Sequence, residues 1–476
     1  MINRKLAIVG LISTFALVGC GGDDDPIANA PDPGPAAPAL DSAVRITHAS
    51  PDAPAVNIYV DGSVLLSNVP FGASSGDIAL PAGSIEVEVR AVLADGSELP
   101  GVIGPATLTT NSGERLDVVA YDTTFDDMSA LNIKPQFHTT PLAADGDAQV
   151  SVFHAAPNVG DVDIYIGAPD GELADALQLD ADFGDDVLGP VPVAAGSYRV
   201  RITGDGSDIV VFDTTLEVTA GDDLLVSAVT NTTGIGAVPV NLLVSTNQGA
   251  AIAFDDSVGA EVRVVHNSAD TPEVDILVNG AEVLDAVPFP VASQYQDIAA
   301  PADTYNIVVA ADIDNSIAPI NVDVPLEQGK SYTAIAIGGL NAITDNTLEL
   351  VLTEDNRRTE ATGSYLRVVH GSYFVAENIP VDVYLTETAD ISGAMPAIMN
   401  LEYGAATPQE LFPAGDYYVT VTAAGDATTV AFAAGPIPIE AGNNYTVIAR
   451  DPGDGEVGAP LILATVLWDN EEESND

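Results

Sequence analysis

Residues 44–62 read VRITHASPDAPAVNIYVDG. The pattern returns as VSVFHAAPNVGDVDIYIGAPDG from Val150, VRVVHNSADTPEVDILVNG from Val262 and LRVVHGSYFVAENIPVDVYL from Leu366. His48, His154, His266 and His370, four of the five histidines, hold one equivalent position, with separations of 106, 112 and 104 residues. Self-similarity at a long, nearly fixed period marks a repeated domain. Later landmarks recur in the same order. An aromatic residue precedes Gly or Pro at Phe71-Gly72, Phe183-Gly184, Phe289-Pro290 and Tyr403-Gly404. A second turn recurs at Ser112-Gly113, Ala220-Gly221, Gln328-Gly329 and Ala441-Gly442. Aligned on these, the copies span 43–142, 147–249, 259–356 and 363–470.

Inside each copy the hydrophobic period is two. Ile85-Glu86-Val87-Glu88-Val89 alternates cleanly, and Val162 to Ile166 does so less strictly. Such alternation reads as strands with one buried face. Val, Ile, Thr and Tyr fill these runs, and Gly, Pro and Asp separate them. No helical period is found beyond the N-terminal segment. About seven short strands per copy predict an all-β chain of four tandem β-sandwich domains, Ig-like or fibronectin-III-like. The linkers are short and polar, and the acidic charge repels itself. Both features predict an extended array, a rod with limited bending.

Composition excludes several function classes. The 476 residues carry 14 Lys and Arg against 70 Asp and Glu, a net of −56. That balance opposes nucleic-acid binding, which needs a basic surface to displace counterions. One cysteine excludes a disulfide framework and a thiolate zinc site. At 47% hydrophobic residues, the chain is too apolar for an acidic disordered protein.

The N-terminus MINRKLAIVGLISTFALVGC has a basic start, Arg4-Lys5, and a 13-residue apolar run from Leu6 to Val18. The run is too short to span a bilayer of about 30 Å and suits an export signal. Leu17-Val18-Gly19-Cys20 resembles the bacterial lipoprotein lipobox, which implies a signal peptide over 1–19 and lipid on Cys20. Cleavage there leaves 12 basic against 70 acidic residues, a net of −58. Gly21 in place of Asp implies, by the same resemblance, the outer membrane, on its periplasmic or its surface face. Residues 20–42 read as a flexible, acidic Pro/Gly tether, and 471–476 as an acidic tail.

The repeated openings resemble the bacterial domain-of-unknown-function family 4397, whose typical opening is V-R-V-V-H-A-S-P-D-A-P-x-V-D-V-Y-V-D-G. Val44 to Gly62 matches almost throughout, with Asn57 where Asp is usual. The fourth copy departs: Tyr373 to Asn378 replaces the Pro-Asp-Ala-Pro loop and adds three residues. The resemblance covers nearly all of 43–470. It implies tandem Ig-like β domains on an exported protein and supplies no reaction and no catalytic residue.

The repeat histidines are the first candidates for chemistry. Asp52, Asn158, Asp270 and Phe374 follow four residues later, and Asn57, Asp163, Asp275 and Asp382 further on. A histidine with carboxylates can bind a metal or act as a base. Four equivalent copies instead suit a fold-holding role, with the ring bonding the following loop and Asp52 and Asp270 forming its turn. His138, placed just past the last strand of the first copy, reads as an interdomain contact. Three acidic loops could hold calcium: Asp205 to Asp208, Asp312 to Asn315 and Asp451 to Glu456. None has the twelve-residue EF-hand register. Tyr417-Tyr418 and Tyr373-Phe374 are the candidate exposed aromatics. There is no G-x-S-x-G, H-E-x-x-H or G-x-x-x-x-G-K motif.

These readings predict a non-enzymatic, lipid-anchored envelope protein without a cofactor. It would display four domains as a binding, adhesion or spacer surface toward a protein or polysaccharide. The divergent fourth copy is the expected site of any private partner. A calcium- or carbohydrate-dependent module is the alternative, and a His/Asp hydrolase a third possibility.

Overall fold

The computed structural model describes residues 42–124, 131–139, 146–298, 304–340, 348–373, 379–454, 456 and 462–468. The export signal, Cys20, nearly all of the tether, Phe374 and the acidic tail lie outside them. The first copy folds as β1 (Ser42–His48), β2 (Val56–Val60), β3 (Ser63–Val69), β4 (Ile78–Leu80), β5 (Gly83–Val92), β6 (Glu98–Thr110), β7 (Glu114–Tyr121) and β8 (Asn132–Thr139). One sheet has the order β4-β1-β7-β8 and the other β3-β2-β5-β6. Both orders recur in all four copies; the second copy adds a ninth strand, Gly249–Ala253.

The β-sandwich is as expected, with two differences. Each copy has at least eight strands rather than seven, because a three-residue strand such as β4 carries too little pattern to read. β1 and β7 run parallel, from Ala43 opposite Arg115 to His48 opposite Ala120. That pair makes this sheet mixed, since its other pairs, β1 with β4 and β7 with β8, are antiparallel.

The two sheets of each copy meet different surroundings. β5 alternates buried Ile85, Val87 and Val89 with wetter neighbours, as a half-exposed strand should. The β7 equivalents Asp223–Thr230 and Ser331–Ile337 are buried almost or entirely along their length. Their sequences, DLLVSAVT and SYTAIAI, hardly alternate, because both faces are covered. One face packs inside its own sandwich. The other packs on the same sheet of a neighbouring copy. Val119 and Tyr121 of the first copy meet Phe153, Leu225 and Leu243 of the second. Val265, Ile335 and Ile337 of the third meet Val369 and Ile448 of the fourth. The aromatic–Gly turns line this seam: at φ +70°, a Cβ on Gly184 would lie 2.9 Å from the Tyr121 ring of the first copy.

The paired copies therefore form two four-layered tiers. The linker after the third copy joins them. Arg358 there donates from Nε to the Pro51 carbonyl at 2.7 Å and from Nη2 to the Ala53 carbonyl, over the Phe71 ring. The Ala361 N–H donates to the Asp52 carbonyl at 2.9 Å. The single-file rod inferred from short linkers and charge repulsion is thus corrected to two tiers of two. Repulsion acts between outer surfaces, and these seams bury apolar area against it. Arg358→Ala removes the two charge-assisted bonds, each worth about 1.5–3 kcal/mol. We expect the maximum dimension in small-angle scattering to grow while the melting of each tier is unchanged.

Candidate functional site

The repeat histidines end the first strand of each copy, and all are at most 1% exposed. Nε2 of His48, His154 and His266 lies 3.1, 2.6 and 3.0 Å from the carbonyls of Pro54, Gly160 and Pro272, six residues on. In the fourth copy Ile379 stands nine residues on, matching the three-residue insertion; its backbone favours the His370 proton, but neither ring nitrogen makes a comparable hydrogen bond among the described residues. The N–H groups of Ala156 and Ser268 point at Nδ1 of His154 and His266, each at 3.4 Å. This assigns the neutral tautomer with hydrogen on Nε2. The recurring aromatic packs edge-on to each ring, with centroids 5.7–6.4 Å apart. Burial lowers the affinity of all four rings for a proton, bringing His48 and His370 to about 4. Arg358 of the linker adds to the effect at His48.

The carboxylates around them are committed to backbone. Asp52 accepts from the Thr124 N–H at 2.8 Å, tying the His loop to the loop after β7. Asp270 accepts from the Leu340 N–H at 2.9 Å in the equivalent place. The fourth copy reverses the donor side: Asp451, after the seventh strand, accepts from Ser372 Oγ at 2.5 Å and the Tyr373 N–H at 3.0 Å. Asp275 and Asp382 accept from the N–H groups of Ala286 and Asn400, at 2.9 and 2.8 Å. Those two residues sit at φ +51° and +54°, where the third strand bulges. Asn57 holds Asn68, at φ +55°, in the same way. Asp163 has no such bulge to hold and bonds the Gln178 side chain and the Gly206 N–H, at 2.9 and 3.2 Å.

Two acidic trios stand at equivalent places in the second and third copies: Asp163, Asp180 and Asp205, and Asp275, Asp285 and Asp312. Within each trio the oxygens lie within 4.8 Å of one another. Calcium wants six to eight oxygens, and each trio offers three carboxylates. Repulsion from Asp161 and its acidic neighbours pushes the Asp182 carboxyl up. The Asp451–Glu456 loop differs. Glu456 is bound to Arg450 at 2.5 and 3.0 Å, which with the Gly453 N–H brings its carboxyl to about 2. Asp451 is occupied as above. Tyr417 donates to the Pro413 carbonyl at 3.0 Å.

Sequence reading missed where the basic residues go. Arg45 and Arg115 are buried in the first tier. Arg45 donates to the carbonyls of Asp223 and Ser245, at 3.0 and 3.3 Å, across the seam. Arg115 binds Asp117 through two bonds of 2.9 Å and contacts Asp223. His138 lies inside β8 rather than past it, with Nε2 3.0 Å from Asp117. Burial alone would raise the Asp117 carboxyl; His138, Arg115 and Arg45 outweigh it and hold it below the usual range. In the second tier, Arg263 and Arg367 converge on buried Asp355. The more exposed bases Arg90, Arg199, Lys134 and Lys330 are paired with carboxylates as well. The outer surface is therefore acidic almost without relief.

Where the tiers meet, an open cleft of about 580 Å³ lies between the far loops of the first two copies and the linker. A second, of about 390 Å³, continues toward the third and fourth copies and shares Thr232, Thr233 and Arg357 with it. The voids inside the first two sandwiches, about 10 and 20 Å³, hold one water at most.

Comparisons with solved structures give distant likenesses. The Bacillus anthracis TIE protein is 12% identical, with 83% of this chain and 65% of that chain covered and a TM-score of 0.14. The match thus spans a little under two thirds of that protein's length. A candidate cell adhesion protein of Parabacteroides distasonis is 9% identical, over 68% of this chain and 98% of its own, with a TM-score of 0.14. One from Bacteroides fragilis is 13% identical, over 54% and 93%, with a TM-score of 0.13. No curated protein matches the chain. The family described as domain of unknown function (DUF4397) matches residues 42–165, 148–253, 260–377 and 364–473, one match for each tandem sandwich. With four copies accounting for almost everything beyond the tether, the chain belongs to the DUF4397 family.

Proposed function

We propose that this is a non-enzymatic envelope protein, anchored by lipid on Cys20, that displays two rigid tiers of β-sandwiches as a binding, adhesion or spacer surface. The observation that carries the reading is the state of the motif residues. The four histidines are buried and neutral, and Asp52, Asp270, Asp275 and Asp382 hold loops and bulges. A hydrolase would need one of those rings exposed in a cleft beside free carboxylates. The acidic exterior suits solubility in salt and discourages adhesion to anionic surfaces. Labelling cells with a radioactive fatty acid tests the anchor. The protein should take up label and fractionate with the outer membrane, and Cys20→Ser should abolish both; label surviving in Cys20→Ser would overturn the anchor. Binding by the fourth copy is better probed by surface substitutions than by deleting 363–470, since deletion bares the inner sheet of the third copy.

The two acidic trios favour a second reading, calcium-dependent binding. Thermal unfolding of residues 41–476 in EDTA and then in millimolar calcium separates the two. On the first reading the shift is small, does not saturate and is matched by sodium chloride of equal ionic strength. A saturable rise beyond that match would establish specific cation sites.

A further inference from the structure

We infer that the cleft between the tiers is a binding site for a neutral oligosaccharide segment. The inference goes beyond the proposed display function and does not require it. The volume, about 580 Å³, lies in the range of ligand clefts, and its place at a domain junction is where such clefts occur. Its lining is unlike that of a drug-type pocket. Threonine hydroxyls recur along it, from Thr123, Thr230, Thr232, Thr233 and Thr359, with Asn158 and the carboxylate of Asp52 beside them, the latter bonded to Thr123 and Thr124. Pro51, Pro157, Pro239 and Val159 add small apolar patches. That combination suits a ring with hydroxyls at its rim and C–H groups on its faces.

Three details support a built site. Thr230 Oγ1 is closed off at the cleft wall and has no hydrogen-bond partner among the described residues; a turn of its side chain into the cleft would let a ligand hydroxyl relieve that cost. The Thr232–Gly234 wall is fixed: Asn231 donates to the carbonyls of Ile235 and Val238, at 3.2 and 2.9 Å, and accepts from Thr233 Oγ1 at 2.8 Å. Arg357 is fixed by Glu261 at 2.5 Å and stacks 4.5 Å from the centre of the Tyr295 ring. Its charge is thereby spent, which removes the chief attraction for an acidic sugar, and the surrounding net charge repels one. The ligand is therefore uncharged. The cleft walls come from the first and second copies and from the linker, so an occupant holds the linker against the first tier.

The test is calorimetric titration of the full chain, purified without its signal, with neutral glucan, mannan and galactan hexasaccharides. Hexagalacturonate is the charged control. We expect saturable binding of at least one neutral saccharide with a Kd of about 0.1–1 mM, the weak range fitting hydroxyl contacts without aromatic stacking. Thr232→Trp, which fills the cleft, should weaken it at least about tenfold with melting unchanged. Thr230→Val, close in shape, should weaken it several-fold. No saturable heat from any neutral saccharide up to about 10 mM, or equal binding by Thr232→Trp, overturns the inference. Envelope location and display would stand in either case.

Discussion

Asp355→Ala is expected to destabilise the second tier by about 3–5 kcal/mol, a large share of a domain's stability. Asp355 ends the last strand of the third copy and its side chain is fully buried. It accepts from Arg367 of the fourth copy at 2.5 Å, and from Thr333 and Tyr295 of its own copy at 2.5 and 2.9 Å. Arg263 lies 3.9 Å away. Alanine leaves two guanidinium groups buried without their shared counter-charge, which costs more than the pair ever contributed. Equilibrium denaturation should show the second tier unfolding first and separately from the first. Lys330→Ala, which removes an exposed pair with Glu354, serves as the control and should cost less than about 1 kcal/mol. Equal effects from the two would mean that apolar contact alone holds the seam.

Acid should unfold the protein through its histidines, well before most carboxylates titrate. In the unfolded chain an imidazole takes its proton near pH 6.5; in the folded chain His48 and His370 do so near 4. Between those values only the unfolded chain binds the proton. Stability is therefore complete above pH 6.5, falls as pH drops toward 4, and loses nothing further from these rings below that. Each contributes about 3 kcal/mol to the loss. His154 and His266 act in the same direction. Asp117, held low, adds a loss as pH falls below the usual carboxylate range. Asp182, Asp256, Glu261 and Glu360, all held high, act the other way and soften the lower end of the curve. Urea midpoints at pH 7, 5.5 and 4 give the measurement. Replacing His48 by Gln should lower stability at pH 7 yet flatten the dependence for the first tier. An unchanged slope would mean that the ring is not the titrating group.

The repeat, the strand class and the sandwich were legible because each is written locally. Ile85 to Val89 alternates, and the alternation survives in the structure. The histidine could be placed at a strand end for the same reason. Pairing between copies was written less openly. Tyr332 to Ile337 fails to alternate, and that failure is the mark of a strand covered on both faces. The alternation of Val162 to Ile166 implies a wet face, but Asp163 and Tyr165 are themselves buried. The seam ions left no local trace. Arg45 stands 178 residues from the Asp223 carbonyl it binds, Arg115 pairs with the Asp223 carboxylate across the same seam, and no motif links them. Each acidic trio likewise draws its members from three separate stretches: Asp163, Asp205, Asp275 and Asp312 were visible singly, Asp180 and Asp285 were not, and nothing local showed that they meet.

Pairing through the inner sheets also constrains how such a chain can change in length. A copy gained or lost singly would leave one apolar sheet without a mate, and a bare sheet face invites association between molecules. Parity is thus a physical property of the array. Copies should be added or removed two at a time, and an odd-numbered relative would need a cap, a helix or a second chain to close its last sheet.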